Sequence, residues 1–146
     1  MRSTYLSLNI HIIFSTKSRA PFLQDHIKEQ AHDYLGGTIR GLEAMPVRIG
    51  GVEDHVHLLL KMNATHSVAN LVREIKKSSN SWLKERVPSF AWQEGYGAFS
   101  VSQERMKGVE KYIRNQVEHH KAMNFREERI MLYRLAGIEF DQEDLD

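Results

Sequence analysis

Cysteine is absent from the chain, which excludes disulfides, thiolate zinc sites and a cysteine nucleophile. Long apolar runs are absent too. The densest, Val56 to Met62, is interrupted by His57 and Lys61 and falls far short of the ~18 residues that a membrane span needs. The opening Met1-Arg2-Ser3-Thr4-Tyr5 leads straight into an alternating pattern, with no signal-peptide core or small-residue cleavage site. A cytoplasmic protein with no membrane partner is therefore expected. No internal repeat, low-complexity tract or linker interrupts the chain. Its 146 residues, 41% hydrophobic and 27% charged, fit one globular domain and exclude a disordered or fibrous chain.

An excess of one charge is lacking overall, yet the two parts of the chain differ. Residues 1–124 carry 17 Lys and Arg against 12 Asp and Glu, whereas 125–146 carry 3 against 7. A basic body with an acidic tail is compatible with a polyanion partner for the body.

Periodicity supplies the elements. Tyr5 to Ser15 alternates, with Leu6, Leu8, Ile10, Ile12 and Phe14 on one face and Ser7, Asn9, His11 and Ile13 on the other, the pattern of a strand. Ile27, Ala31, Leu35 and Ile39 predict a helix from Asp25 to about Arg40. Pro46–Val52 and Asp54–Met62 read as strands joined by a tight turn around Gly50-Gly51. Thr65 or Ser67 would cap a second helix striped by Val68, Leu71, Val72, Ile75 and Trp82. Phe90–Ser102, rich in aromatics and glycine, reads as a bulged strand. A third long helix, Gln103 to Met123, would bury Met106, Val109, Ile113, Val117 and His120, and a short one would run from Glu127 to Ala136. The order strand–helix–strand–strand–helix–strand–helix–helix predicts an α+β fold. It would have a ferredoxin-like antiparallel four-stranded sheet with helices packed on one face, and a C-terminal helical tail.

Two constellations could carry chemistry. In Asp54-His55-Val56-His57-Leu58, strand alternation puts both imidazoles on one face, close enough to converge on one metal. A pair of surface histidines on a half-exposed strand would share the pattern. In Tyr112-Ile113-Arg114-Asn115-Gln116, Tyr112 and Gln116 are i and i+4 and share a flank. A phenol can attack phosphorus and a Gln carbonyl can ligate a metal; an amphipathic Tyr at the core edge with a solvated Gln would look alike. Trp82 continues an apolar stripe, and Trp92 suits either core or surface. His11, on the polar face of the first strand, suits a structural role although it could reach the same site. His119 is expected at the surface and His120 in the core.

Taken together the motifs resemble the small single-tyrosine transposases of bacterial insertion sequences, REP-associated forms included, within the HUH (His–hydrophobic–His) endonuclease superfamily. The landmarks are His11-Ile12-Ile13-Phe14-Ser15-Thr16-Lys17-Ser18-Arg19, Gly51-Val52-Glu53-Asp54-His55-Val56-His57-Leu58-Leu59 and Lys76-Lys77-Ser78-Ser79. They continue with Trp92-Gln93-Glu94-Gly95-Tyr96-Gly97-Ala98-Phe99-Ser100-Val101-Ser102, Tyr112-Ile113-Arg114-Asn115-Gln116 and Gly137-Ile138-Glu139-Phe140-Asp141.

That resemblance implies an enzyme that cleaves and rejoins hairpin-bearing single-stranded DNA by transesterification through a 5′-phosphotyrosine. Residues 1–124 would form the transposase domain and 125–146 its acidic helical tail. Tyr112 would be the nucleophile, and His55, His57 and Gln116 the ligands of a divalent metal, Mg²⁺ or Mn²⁺. Lys17, Arg19, Arg73, Lys76, Lys77 and Arg114 would contact DNA. The family implies a homodimer with composite active sites, and the Phe90–Ser102 strand would suit its contact. Tyr5, Tyr34, Tyr96 and Tyr133 lack a Gln four residues on, which favours Tyr112. A histidine-triad hydrolase would need a third histidine where Leu59 stands. A domesticated nuclease processing repetitive palindromes would share the chemistry. A non-catalytic ferredoxin-like nucleic-acid-binding module would place aromatics on its central strands, where this chain has His55, His57 and Lys61.

Overall fold

The computed structural model describes residues 3–145. Four strands, β1 (Leu8–Ser15), β2 (Met45–Val52), β3 (His55–Met62) and β4 (Gly97–Val101), form one sheet in the order β2-β3-β1-β4. Every pairing is antiparallel. Helices α1 (Asp25–Gly41) and α2 (Val68–Lys84) connect them in the ferredoxin-like order. Beyond the sheet follow α3 (Met106–Arg114), α4 (Gln116–His119) and α5 (Phe125–Leu135). The fold class is the one the sequence implies.

Alternation along the central strands divides the interior into two layers. Ile10, Ile12 and Phe14 of β1 and Val56, Leu58 and Leu60 of β3 pack against Ile27, Leu35 and Ile39 of α1 and Leu71 and Ile75 of α2. The other face of β3 presents Leu59, which packs with Val101, Met106 and Ile113. α1 and α2 thus cover one face as expected, while α3 and the C-terminal helices lie across the opposite face. That face is polar in sequence but buried in fact: Asn9, His11, His55 and His57 are all buried.

Two glycines permit the close cover. The strand registers pair His57 with Gly50 and with Ile13, and Ile13 with Gly97, so these four residues form one row across the sheet. A Cβ on Gly50 would stand 2.4 Å from the carbonyl oxygen of Ile113 in α3. One on Gly97 would stand 2.9 Å from Ile13 Cγ1 and 3.1 Å from Tyr133 of α5. Both helices therefore approach the sheet on either side of His57 only where side chains are missing.

Several boundaries differ from the sequence expectation. Gly50-Gly51 lies within β2, and the hairpin turn is Glu53-Asp54; the glycines serve packing rather than the turn. Tyr5 and Leu6 are exposed and precede β1. Only Gly97–Val101 of the 90–102 segment is a strand; Trp92 makes an isolated bridge to Thr16 and donates its indole N–H to Ser79 Oγ at 2.9 Å. The third helix is not continuous. It breaks at Asn115 (φ −94°, ψ 21°), and α4 restarts in a shifted phase. Val117, expected inside, is exposed, and Gln116 is buried in its place.

Candidate metal and tyrosine site

β3 carries His55 and His57, both fully buried, toward the layer of C-terminal helices. Burying an imidazole requires partners for both ring nitrogens. His55 Nδ1 lies 2.7 Å from Asp54 Oδ1, and His57 Nδ1 lies 2.8 Å from Nε2 of the buried His11. The two Nε2 atoms remain, and both point to one carboxylate. Glu128 Oε1 is 3.1 Å from His55 Nε2, 3.1 Å from His57 Nε2 and 2.9 Å from His120 Nε2. Phe125, stacked on His55 with ring centroids 4.2 Å apart, closes the site.

The helix break supplies the other side. Tyr112, on the last full turn of α3, donates its hydroxyl to Glu128 Oε2. Gln116, turned inward by the break, donates its amide N–H to the same oxygen at 3.0 Å and sets its own Oε1 3.1 Å from His55 Nε2. Glu128 itself is fully buried on the first turn of α5, which is fixed by a capping box between Asn124 and Glu127.

Electrostatics follow from this packing. Burial opposes charge on Glu128, but hydrogen bonds from His120, His55 and His57 prevail and hold its carboxyl well below the usual range. Burial also opposes charge on His55, yet its bonds to Asp54 and Glu128 raise its pKa to about 9. His57 is pushed down by burial against the pull of Glu128, and His11 falls to about 3 through burial and the neighbouring His57. Burial and the Glu128 charge drive the Tyr112 hydroxyl upward. The packing thus favours a charged His55 beside a charged Glu128, with the Tyr112 phenol kept protonated.

Ligand atoms of His55, His57, His120 and Glu128 all lie within 4.8 Å of one another. A mixed set of imidazole nitrogens and a carboxylate oxygen suits a divalent first-row cation such as Mn²⁺, and the Asp54 and His11 contacts are those that orient ligating imidazoles. A cavity of about 700 Å³, lined by His11, Phe99, Val109, Tyr112 and Leu132 among others, borders the phenol.

The structure therefore brings His55, His57, Gln116 and Tyr112 together within one chain. His120 belongs to this group and not to an apolar stripe, and His119 is half-buried with its ring 4.8 Å from that of Tyr112. Both depart from the sequence expectation because the Asn115 break rotates the following turn.

The basic candidates are dispersed. Lys17 and Arg19 form a 3-10 turn just beyond Ser15, which pairs with His55 across the sheet. Arg114 ends α3 and lies 3.7 Å from Glu110. Arg73, Lys76 and Lys77 sit on α2, in the other layer. Arg73 pairs with Glu74, Lys77 is exposed, and Lys76 donates to the carbonyls of Gln93 and Gly95 at 2.8 and 2.6 Å.

Glu128 was missed by the sequence reading. The available signal was its place at i+3 from Phe125 and i−4 from Leu132, a carboxylate in the middle of an apolar stripe.

Fold and site define a ferredoxin-like α+β domain with a buried histidine–carboxylate centre beside a tyrosine. Residues 4–116 match the family model described as "Transposase IS200 like", and the chain belongs to that transposase family. No curated protein matches the sequence. Among solved structures, the chain is similar to a candidate transposase from Deinococcus radiodurans R1, at 25% identity and a TM-score of 0.66, over 80% of this chain and 95% of that one. It is also similar in fold to a REP-associated tyrosine transposase solved bound to a REP hairpin, at 14% identity and a TM-score of 0.62, over 82% of this chain and 73% of that one. Among the described residues, no helix is long and apolar enough to cross a membrane.

Proposed function

We propose that the chain is a metal-dependent endonuclease and strand transferase acting on hairpin-bearing single-stranded DNA, with Tyr112 as its nucleophile. The observation that carries this reading is the meeting of Tyr112 with His55, His57 and Gln116 around one buried carboxylate. A divalent cation at the imidazoles would supply Lewis-acid stabilisation to a scissile phosphate and orient the departing 3′-oxygen.

The chain's own residues do the rest. The Tyr112 hydroxyl gives up its proton and its oxygen bonds to phosphorus, while the bond from phosphorus to the 3′-oxygen breaks and that oxygen takes up a proton. A 5′-phosphotyrosine and a free 3′-hydroxyl result. One phosphodiester replaces another, so a later hydroxyl can reverse the step without an external energy source; this is transesterification. Asp54 and His11 orient the imidazoles. Lys17, Arg19 and Arg114, nearest the site, would hold the phosphate backbone, with Arg73, Lys76 and Lys77 extending the basic surface to α2.

His55, His57, Gln116 and Tyr112 of one chain already meet, so a homodimer formed through the edge of β4 would pair two such sites, in place of the composite sites that the resemblance implies. The protein would work in the cytoplasm, where its DNA is found. A hairpin-bearing single strand incubated with protein and Mn²⁺ should yield a covalent adduct, abolished by chelator and by Tyr112→Phe. An adduct persisting in the Phe variant would refute the assignment.

A further inference from the structure

We propose that Glu128 both ligates the divalent cation and tethers Tyr112, so that one carboxylate couples cation occupancy to the position of the nucleophile. This rests on the reading above and adds a residue lying outside the 4–116 segment matched by the family model.

The argument is geometric. Three Nε2 atoms, two from β3 and one from His120 just past α4, converge at 2.9–3.1 Å on Oε1 of Glu128. That oxygen stands at the point where the three Nε2 atoms meet. A cation held by His55 and His57 at ~2.1 Å must take over that focus, and the carboxylate has nowhere else to go, because it is fully buried. A buried carboxylate deprived of its hydrogen-bond donors would be strongly destabilising. Coordination of the cation gives it a new partner of opposite charge.

The second oxygen makes the coupling. Oε2 accepts from the Tyr112 hydroxyl and from Gln116 Nε2, while no imidazole is bonded to it. The two oxygens are thus divided between the cation site and the nucleophile. Any movement of the carboxylate that follows metal entry is transmitted to the phenol, and through Gln116 to the amide oxygen beside His55. His120 bonds the same Oε1 and steadies the carboxylate from the C-terminal end of α4.

The test uses the metal-free full-length protein and MnCl₂ alone, with no DNA. Loss of the free-Mn²⁺ paramagnetic resonance signal reports binding, and ultraviolet difference absorption reports tyrosine. Wild type should bind Mn²⁺ with a tyrosine difference band that disappears in Tyr112→Phe. Glu128→Gln, which keeps the shape but not the charge, should bind at least tenfold more weakly and lose the band. Glu128→Asp should recover part of the affinity, which a purely structural role would not produce. Wild-type affinity in Glu128→Gln would overturn the ligand assignment. Mn²⁺ binding without a tyrosine band would overturn the tether. If Glu128→Gln fails to fold, Glu128→Asp decides: affinity within twofold of wild type with no tyrosine band overturns the proposal, whereas a weakened site that still shifts the band supports it. Loss of the covalent adduct in Tyr112→Phe is read separately, so failure here is distinguishable from failure of the transposase reading.

Discussion

His11 of β1 and His57 of β3 are joined ring to ring, Nε2 to Nδ1 at 2.8 Å, inside the sheet layer that faces the C-terminal helices. The contact leaves His57 Nε2 as the nitrogen directed at the candidate cation position, and it fixes the ring's rotation. Replacing His11 by Phe keeps the ring volume against Phe99 and removes the nitrogen. Mn²⁺ affinity should fall about tenfold or more, the range for lost orienting partners. Titration of the metal-free variant, with circular dichroism to verify folding, measures it; unchanged affinity would make His11 a packing residue only.

Gly50 offers a test of how the C-terminal layer is seated. Its Cβ would stand 2.4 Å from the Ile113 carbonyl, a backbone atom that cannot swing aside. Gly50→Ala should destabilise by about 3 kcal/mol and lift α3 from the sheet. Urea unfolding gives the stability, and Mn²⁺ titration of the folded fraction should show a weakened site, since Tyr112 and Ile113 are adjacent.

Asn124 caps α5 and so sets the angle at which Glu128 enters the site. Asn124→Ala removes the side-chain acceptor for Glu127 N–H, now 2.9 Å away, and should cost about 1 kcal/mol in urea unfolding. The capping box makes the effect local, so α1 and α2 should keep their hydrogen-exchange protection while α5 loses part of its own.

The metal-free protein should have a defined pH window. His55, raised to about 9, contributes stability that is complete below its unfolded value of about 6.5 and is lost as pH rises through 9. Glu128, held below the usual range, contributes stability that is present above about 4.5 and is lost as pH falls. Stability in chelator should therefore peak between these limits. Glu128→Gln should flatten both limbs, because His55 then loses its charged neighbour. Denaturation midpoints recorded across pH 3–10, a range set by those two limits, would show it.

His57→Ala should separate chemistry from affinity. Metal-dependent cleavage should be lost, whereas single-stranded DNA binding should persist and weaken steeply with salt, since phosphate contacts carry it. Gel-shift titrations at two salt concentrations test the second point; complete loss of binding would mean that the imidazole also holds DNA.

Much of this was legible in the sequence. The period-two run of β1 and the His55–His57 spacing follow from local geometry. What was not legible came from tertiary contacts. The Gly50-Gly51 pair is a turn signal locally, and only the descent of α3 onto Gly50 and the close approach of the His55 backbone to Gly51 explain its place in a strand. The phase shift at Asn115 exposes Val117 and buries Gln116 and His120, which no uninterrupted helical stripe foretells. Glu128 was hidden for the opposite reason: acidic residues in an acidic tail look solvated, and its helical spacing from Phe125 and Leu132 was the one local sign against that.

The placement of Glu128 also bears on where the chain can be cut. A fragment ending at Met123 would retain every hallmark motif through Tyr112-Ile113-Arg114-Asn115-Gln116 and would still be recognised by its pattern. It would nonetheless lose the Phe125 ring and the anion that quenches the imidazole cluster. Mutually repelling or water-flooded histidines would then line its floor, making the last 23 residues a keystone rather than an appendage.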